Sequence, residues 1–299
     1  MAVGGGAAAL PGRRHLSAAR RRPDVATRPT VGPERPAPLP MDTSRLSTAA
    51  DGLAKDFRQA LRRARDLGLQ GVEIDARGAF EPARLTQTAM RQLRRWLGDE
   101  GIVVSAVAFR TRGGYAEAER LEGRVAATKA ALELARAFGA DVVLNHVGDI
   151  PAHDDPRFAM LVDVLTDIGA WGERVGARLC VAAGPAAPAD LARLVAALPD
   201  GAIGCDLVTG ALLVNGYDPS VAVATLADSI AVVHATDAVA GPFAGRGSAV
   251  VLGTGQVDLP DVLGTLEERG YRGWIGLEPV EPADAHDELA AAIVHLRNL

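Results

Sequence analysis

Two residues stand out for their chemistry. His234 closes the apolar run Ile230-Ala231-Val232-Val233, and Glu278 closes Trp274-Ile275-Gly276-Leu277. An imidazole and a carboxylate ending neighbouring strands outline a divalent-metal site; such donors suit Zn, Mn or Co, and an oxygen-richer set suits Mg or Mn. Without a metal, the same pair describes a neutral histidine hydrogen-bonded to a buried acid. Asp206 lies inside a third apolar run, Ile203-Gly204-Cys205-Asp206-Leu207. An unpaired carboxylate there is costly, so it must meet a cation, a hydrogen-bond donor or a proton. His234, Glu278 and Asp206 are the candidate metal ligands, and Glu278 is also the candidate catalytic base.

Further polar residues follow apolar runs. His146 comes after Val142-Val143-Leu144-Asn145 and opens a Gly- and Asp-rich loop that also carries His153. Asp237 stands three residues beyond His234, and Arg246 lies in the loop Gly241-Pro242-Phe243-Ala244-Gly245-Arg246-Gly247, where a guanidinium fork would suit phosphate. His146, Asp237 and Arg246 are the candidate substrate contacts. Glu73 and Asp75 point to one side of their strand, with Arg77 near enough for a surface ion pair. Gly253-Thr254-Gly255 either approaches a phosphate through its amides or makes a tight turn before a helix.

These residues need elements to hold them. From Met41 onward, short apolar runs alternate with segments of helical spacing, which is the pattern of βα units. A weak first strand near Arg45–Ala49 is followed by strands at Gly71–Asp75, Ile102–Val107, Asp141–Asn145, Arg178–Ala182, Ala202–Leu207, Ile230–His234 and Gly273–Glu278. Between them the spacing predicts helices over 53–67, 82–97, 121–138, 156–175, 189–198 and 259–269, with a last one over 285–297. Gly98, Gly101 and Gly139 supply helix ends. The fold class predicted is α/β, a single (β/α)8 TIM barrel over 41–299. An open doubly wound sheet is disfavoured, because no Gly-x-Gly-x-x-Gly turn follows the first strand.

Residues 1–40 differ in composition. They hold seven Arg and seven Pro against two acids, with few large apolar residues, and are expected to be disordered. Of the total charge of −5, the rest of the chain therefore carries about −10. An acidic barrel disfavours nucleic acid as a partner. Arg13-Arg14 lacks the apolar stretch of an export signal, the prolines argue against a transit helix, and a start at Met41 is the simpler reading. No apolar run is long enough to span a membrane. The cysteines, Cys180 and Cys205 alone, fall in buried strands and suit a reducing, cytoplasmic setting.

Several stretches then resemble the sugar phosphate isomerase/epimerase family, the xylose isomerase-like barrels: Gly71-Val72-Glu73-Ile74-Asp75-Ala76-Arg77, Leu212-Leu213-Val214-Asn215-Gly216-Tyr217-Asp218-Pro219, Val233-His234-Ala235-Thr236-Asp237-Ala238, Leu252-Gly253-Thr254-Gly255-Gln256-Val257-Asp258 and Gly270 to Glu278. The resemblance implies a divalent metal held by a Glu ending strand five, an Asp ending strand six, a His ending strand seven and a Glu ending strand eight. His234 and Glu278 match. Ala182-Ala183-Gly184 and Val208-Thr209-Gly210 stand where the two other carboxylates are expected.

The activity implied is isomerisation or epimerisation of a small sugar or sugar phosphate, by metal-assisted proton transfer next to a carbonyl. With Ala182 in place of a carboxylate, one-base isomerisation through Glu278 is the version that survives. The alternative is a catalytically silent barrel that binds a sugar-like ligand or serves as a partner subunit. A homo-oligomer is compatible with either. A zinc-dependent DNA repair endonuclease on such a barrel would need a multi-metal cluster and a basic face, which six histidines and an acidic domain do not offer.

Overall fold

Near-continuous runs of Val, Ile, Leu and Ala make strands that are covered on both faces, as parallel sheets require. In the computed structural model, which describes residues 45–299, these runs close a barrel. Its strands are β1 (Leu46–Ala49), β2 (Gly71–Asp75), β3 (Val103–Ala108), β4 (Val142–Asn145), β5 (Arg178–Ala183), β6 (Ile203–Val208), β7 (Ile230–Ala235) and, after a separate antiparallel hairpin of β8 (Asp237–Val239) with β9 (Ser248–Val250), β10 (Trp274–Leu277). The order is β1-β10-β7-β6-β5-β4-β3-β2, and every barrel pair is parallel. The predicted (β/α)8 barrel is what is found. The disorder expected of residues 1–40, the boundary at Met41 and the choice of start lie outside the described residues.

The helices are α1 (Ala50–Leu53), α2 (Phe57–Asp66), α3 (Gln87–Glu100), α4 (Leu121–Phe138), α5 (Pro156–Val175), α6 (Pro188–Ala196), α7 (Thr209–Val214), α8 (Pro219–Leu226), α9 (Leu259–Glu268) and α10 (Ala285–Arg297). Helices α7 and α8 and the β8–β9 hairpin were not predicted; caps account for the shifted starts of two others. The helix expected over 53–67 starts only at Phe57, because the Asp56 side chain accepts the Gln59 amide and caps α2, while Leu53 ends the short α1. The one expected from 82 begins at Gln87, capped by Thr86, after a 3-10 turn at Pro82–Arg84. Gly98 lies inside α3; the residue that closes it is Gly101, at φ 67°, a left-handed conformation that glycine takes without a Cβ clash.

Most of the buried apolar side chains pack between the barrel and its helices. A second, smaller cluster fills the lower barrel interior: Ala106, Val142, Leu144, Cys180 and Val232. That apolar plug forms the floor beneath the polar groups that follow. No helix among the described residues is long and apolar enough to cross a membrane.

Candidate active site

The centre of the upper barrel is a fully buried row of three charges. His234 Nδ1 lies 2.6 Å from Asp206 Oδ1, and His234 Nε2 lies 2.9 Å from Glu73 Oε1. His234 is 1% exposed, Asp206 3% and Glu73 7%. Both carboxylates come from irregular places: the β2–β3 register shifts between Val72 and Glu73, and the β6–β7 register shifts between Cys205 and Asp206. Such bulges re-aim a side chain by one residue. The third device is an absence. Gly276 of β10 pairs with His234, and a Cβ there would stand 2.5 Å from His234 Cδ2 and 2.9 Å from Glu73 Oε1.

Electrostatics fixes the protonation. Burial disfavours a charged imidazole, but Asp206 and then Glu73 outweigh it, holding the His234 pKa well above its ordinary value. Burial likewise opposes ionisation of Glu73, yet the charge and hydrogen bond of His234, with a smaller contribution from Arg110, bring its pKa below the usual carboxylate range. His234 is thus an imidazolium donating both N–H groups to carboxylates. The need for a partner, legible at Asp206, is met by this ring. The neutral histidine is replaced by a protonated one, and one acid by two.

The expected metal set of His234, Asp206 and Glu278 is not assembled. A ligating histidine offers one lone pair to the ion and gives its other N–H to an outer acceptor; here both nitrogens are engaged, and they point apart. No group of three His, Cys, Asp or Glu among the described residues could hold a metal ion. The residues present do not fit a divalent cation. At the first position where the resemblance implies a carboxylate, Ala182 pairs with Asp206 across β5–β6. Val208 leads straight into α7, whose first residue Thr209 accepts the Thr236 amide and donates to its carbonyl.

Above the row, the mouth is open. Glu278 is exposed and stands 3.8 Å from Arg110 Nη2. His146 is half-buried, and burial followed by Arg110, against Asp206, lowers its pKa, so the ring is neutral near pH 7. Its amide donates to Asn145 Oδ1. Asn145 is buried, takes the Thr111 amide at 2.9 Å and donates to the Tyr115 hydroxyl at 2.8 Å, so it secures the loop after β3. Burial, against bonds to Thr128 and Asn145, pushes the Tyr115 phenol up to about 12, which keeps it neutral.

Other predicted contacts lie elsewhere. The Asp237 carboxylate accepts four backbone amides, those of Ala238, Gly253, Gly255 and Val257. It holds the loop Gly253-Thr254-Gly255 in shape and leaves no acceptor turned to a ligand. Arg246 is exposed in the β8–β9 hairpin loop. His153 is exposed beside Phe158. Asp75 accepts the Arg77 amide, while the Arg77 guanidinium stacks over Phe109 and donates to the Arg110 carbonyl at 2.6 Å instead of pairing with Asp75. Arg110 is the residue that sequence reasoning missed. The signal was present: it is the first polar residue after the apolar run Ala106-Val107-Ala108-Phe109.

Fold and site together define a parallel (β/α)8 barrel whose polar groups gather at the C-terminal mouth. The chain belongs to the xylose isomerase-like TIM barrel family, whose sequence profile matches residues 61–299. Solved structures with the same fold include a xylose isomerase domain protein from Planctomyces limnophilus (24% identity, 85% of this chain and 95% of that one, TM-score 0.74). A xylose isomerase-like TIM barrel protein from Mycobacterium smegmatis, in complex with magnesium, has 18% identity over 86% and 96% of the two chains, with TM-score 0.69. A 3-keto-D-glucoside 4-epimerase from E. coli has 15% identity over 85% and 99%, with TM-score 0.67. No curated protein sequence matches the chain.

Proposed function

We propose that the chain acts on a small sugar or sugar phosphate at the barrel mouth, as an isomerase of the one-base kind. The observation that supports this is the Arg110–Glu278 pair, exposed at 3.8 Å above a sealed interior. Glu278 removes the proton next to a carbonyl. The electron pair moves to the carbonyl oxygen, which becomes an enediolate beside the Arg110 guanidinium, and the proton returns at the neighbouring carbon. Arg110 supplies the positive charge that a metal gives in the expected mechanism, and His146, neutral and half-buried, can exchange protons with the hydroxyls. No step runs through a metal.

A second reading, binding without turnover, is favoured by Ala182, which leaves no opposite carboxylate for epimerisation. Proton NMR in D2O separates the two. A panel of aldoses, ketoses and their phosphates is incubated with the protein, with and without a chelator. Deuterium entering the carbon next to the carbonyl, unaffected by chelator and reduced by a factor of about 10²–10⁴ in Glu278→Gln, is the expected result. Saturable binding without exchange would replace it by the second reading. We place the protein in the cytoplasm, which suits two buried free thiols; burial pushes that of Cys205 up to about 12.

A further inference from the structure

Beside the mouth lies a groove of about 760 Å³ between the segments after β2 and β3 and helix α4. Its lining includes Arg77, Arg112, Arg120 and Arg124, while the acid in it, Glu81, pairs with Arg84 at 2.7 Å. Four guanidinium groups gather here on a barrel that is acidic as a whole. We propose that this groove binds a nucleotide-like ligand: a phosphorylated molecule with a flat, apolar body.

Four observations carry the assignment. Arg112 is exposed, with no hydrogen-bond or ion-pair partner among the described residues, and Arg120 has only Glu119 at 3.9 Å, with both side chains almost fully exposed; such a contact is worth little. Arg124 donates to the carbonyls of Glu117 and Glu119, yet its Nε is buried without an acceptor. Arg120, at φ 53°, is the one non-glycine residue in the left-handed region among those described, a strained conformation of the kind that gathers at ligand clamps. The floor is apolar, made by Phe109, Ala76, Ala127 and Ala130, with Arg77 lying over the Phe109 ring at 5.1 Å.

Guanidinium groups bind phosphate oxygens in a bidentate fork and stack on flat rings. A rim of arginines over an apolar floor therefore fits a ligand with both parts, and the volume falls in the range of small-molecule sites. The groove adjoins the mouth without including Arg110 or Glu278, and Arg77 links the two by its bond to the Arg110 carbonyl.

Calorimetric titration of the full chain with ADP, pyrophosphate and adenosine tests the assignment at low salt. ADP should bind more tightly than either fragment, and Arg112→Glu with Arg120→Glu, both exposed positions, should weaken ADP at least tenfold. Glu278→Gln should leave ADP binding intact, which separates this site from the proposed reaction. ADP failing to bind, binding no better than pyrophosphate, or binding unchanged by the charge reversals would overturn the assignment. So would a dimer of the unmodified chain that the same reversals dissociate, since that would make a second, acidic copy of the barrel the occupant.

Discussion

Two flanks of the barrel differ in charge. On the β5–β6 flank, where the resemblance implies carboxylates, this chain has Ala182 and Val208, and the backbone passes directly into α7. On the β2–β3 flank it carries Arg77, Arg110 and Arg112. The first flank is uncharged at these two positions, and the second is basic. Strand order and helix packing depend on apolar patterning, so the residues that follow the strands can differ in charge while the fold stays.

Breaking the buried row should have the largest effect. His234→Asn removes the imidazolium that donates one N–H to Asp206 and the other to Glu73 and leaves two buried carboxylates without their counter-charge, at a cost of about 3–5 kcal/mol in urea unfolding. Adding Glu73→Gln and Asp206→Asn should recover part of the loss. The pH dependence has a definite sign. The His234 pKa is raised by folding, so its contribution is complete below the unfolded value of about 6.5 and is lost as pH rises through the folded value. Glu73, lowered by folding, contributes above about 4.3 and loses that as pH falls through its folded value. Unfolding free energy of the unmodified chain should therefore decline faster on the alkaline side than that of His234→Asn. Parallel profiles would mean that the ring is not an imidazolium.

Filling the gap that the row uses comes next. Gly276→Ala places a methyl within 2.7 Å of His234 Nε2, and overpacking of this kind costs about 1–3 kcal/mol. Thermal melting would show it, and an unchanged midpoint would mean that the imidazole lies elsewhere. The smallest effect sharpens the contrast between the flanks. Ala182→Glu with Val208→Asp introduces two carboxylates, yet should raise Mn²⁺ affinity little while Glu73 still occupies Nε2. Adding Glu73→Gln frees that nitrogen and keeps the Nδ1–H bond to Asp206, the support a ligating histidine needs. Calorimetry should then show a further gain of about tenfold, roughly 1.4 kcal/mol. A large gain in the double variant alone would show that His234 is available to metal after all.

The barrel was legible because continuous apolar runs and helical spacing are local. The bounds of α4 and α5 follow from that spacing directly. The site was legible only where one residue constrains its own surroundings: Asp206, deep in an apolar strand, announced that it needed a partner. The partner's second bond was not, since Glu73 and His234 are 161 positions apart and meet only because Gly276 lacks a side chain. Asp237 misled for a related reason. A carboxylate after a strand looks the same in sequence whether it faces a ligand or, as here, the amides of its own loop. Arg110 lies three residues beyond Val107, where the spacing ends the third strand, whereas the structure carries that strand on to Ala108.

The bond between Glu73 and His234 also bears on how the chain folds. It joins the first quarter of the described sequence to the last third, so neither an early nor a late fragment can make it alone. Until β7 comes round to β2, Glu73 has no imidazolium to neutralise it, and burying it is unfavourable. Closure of the ring thus satisfies in one event a group that every partly closed form leaves exposed or unpaired. That penalises half-barrels and favours a single cooperative transition.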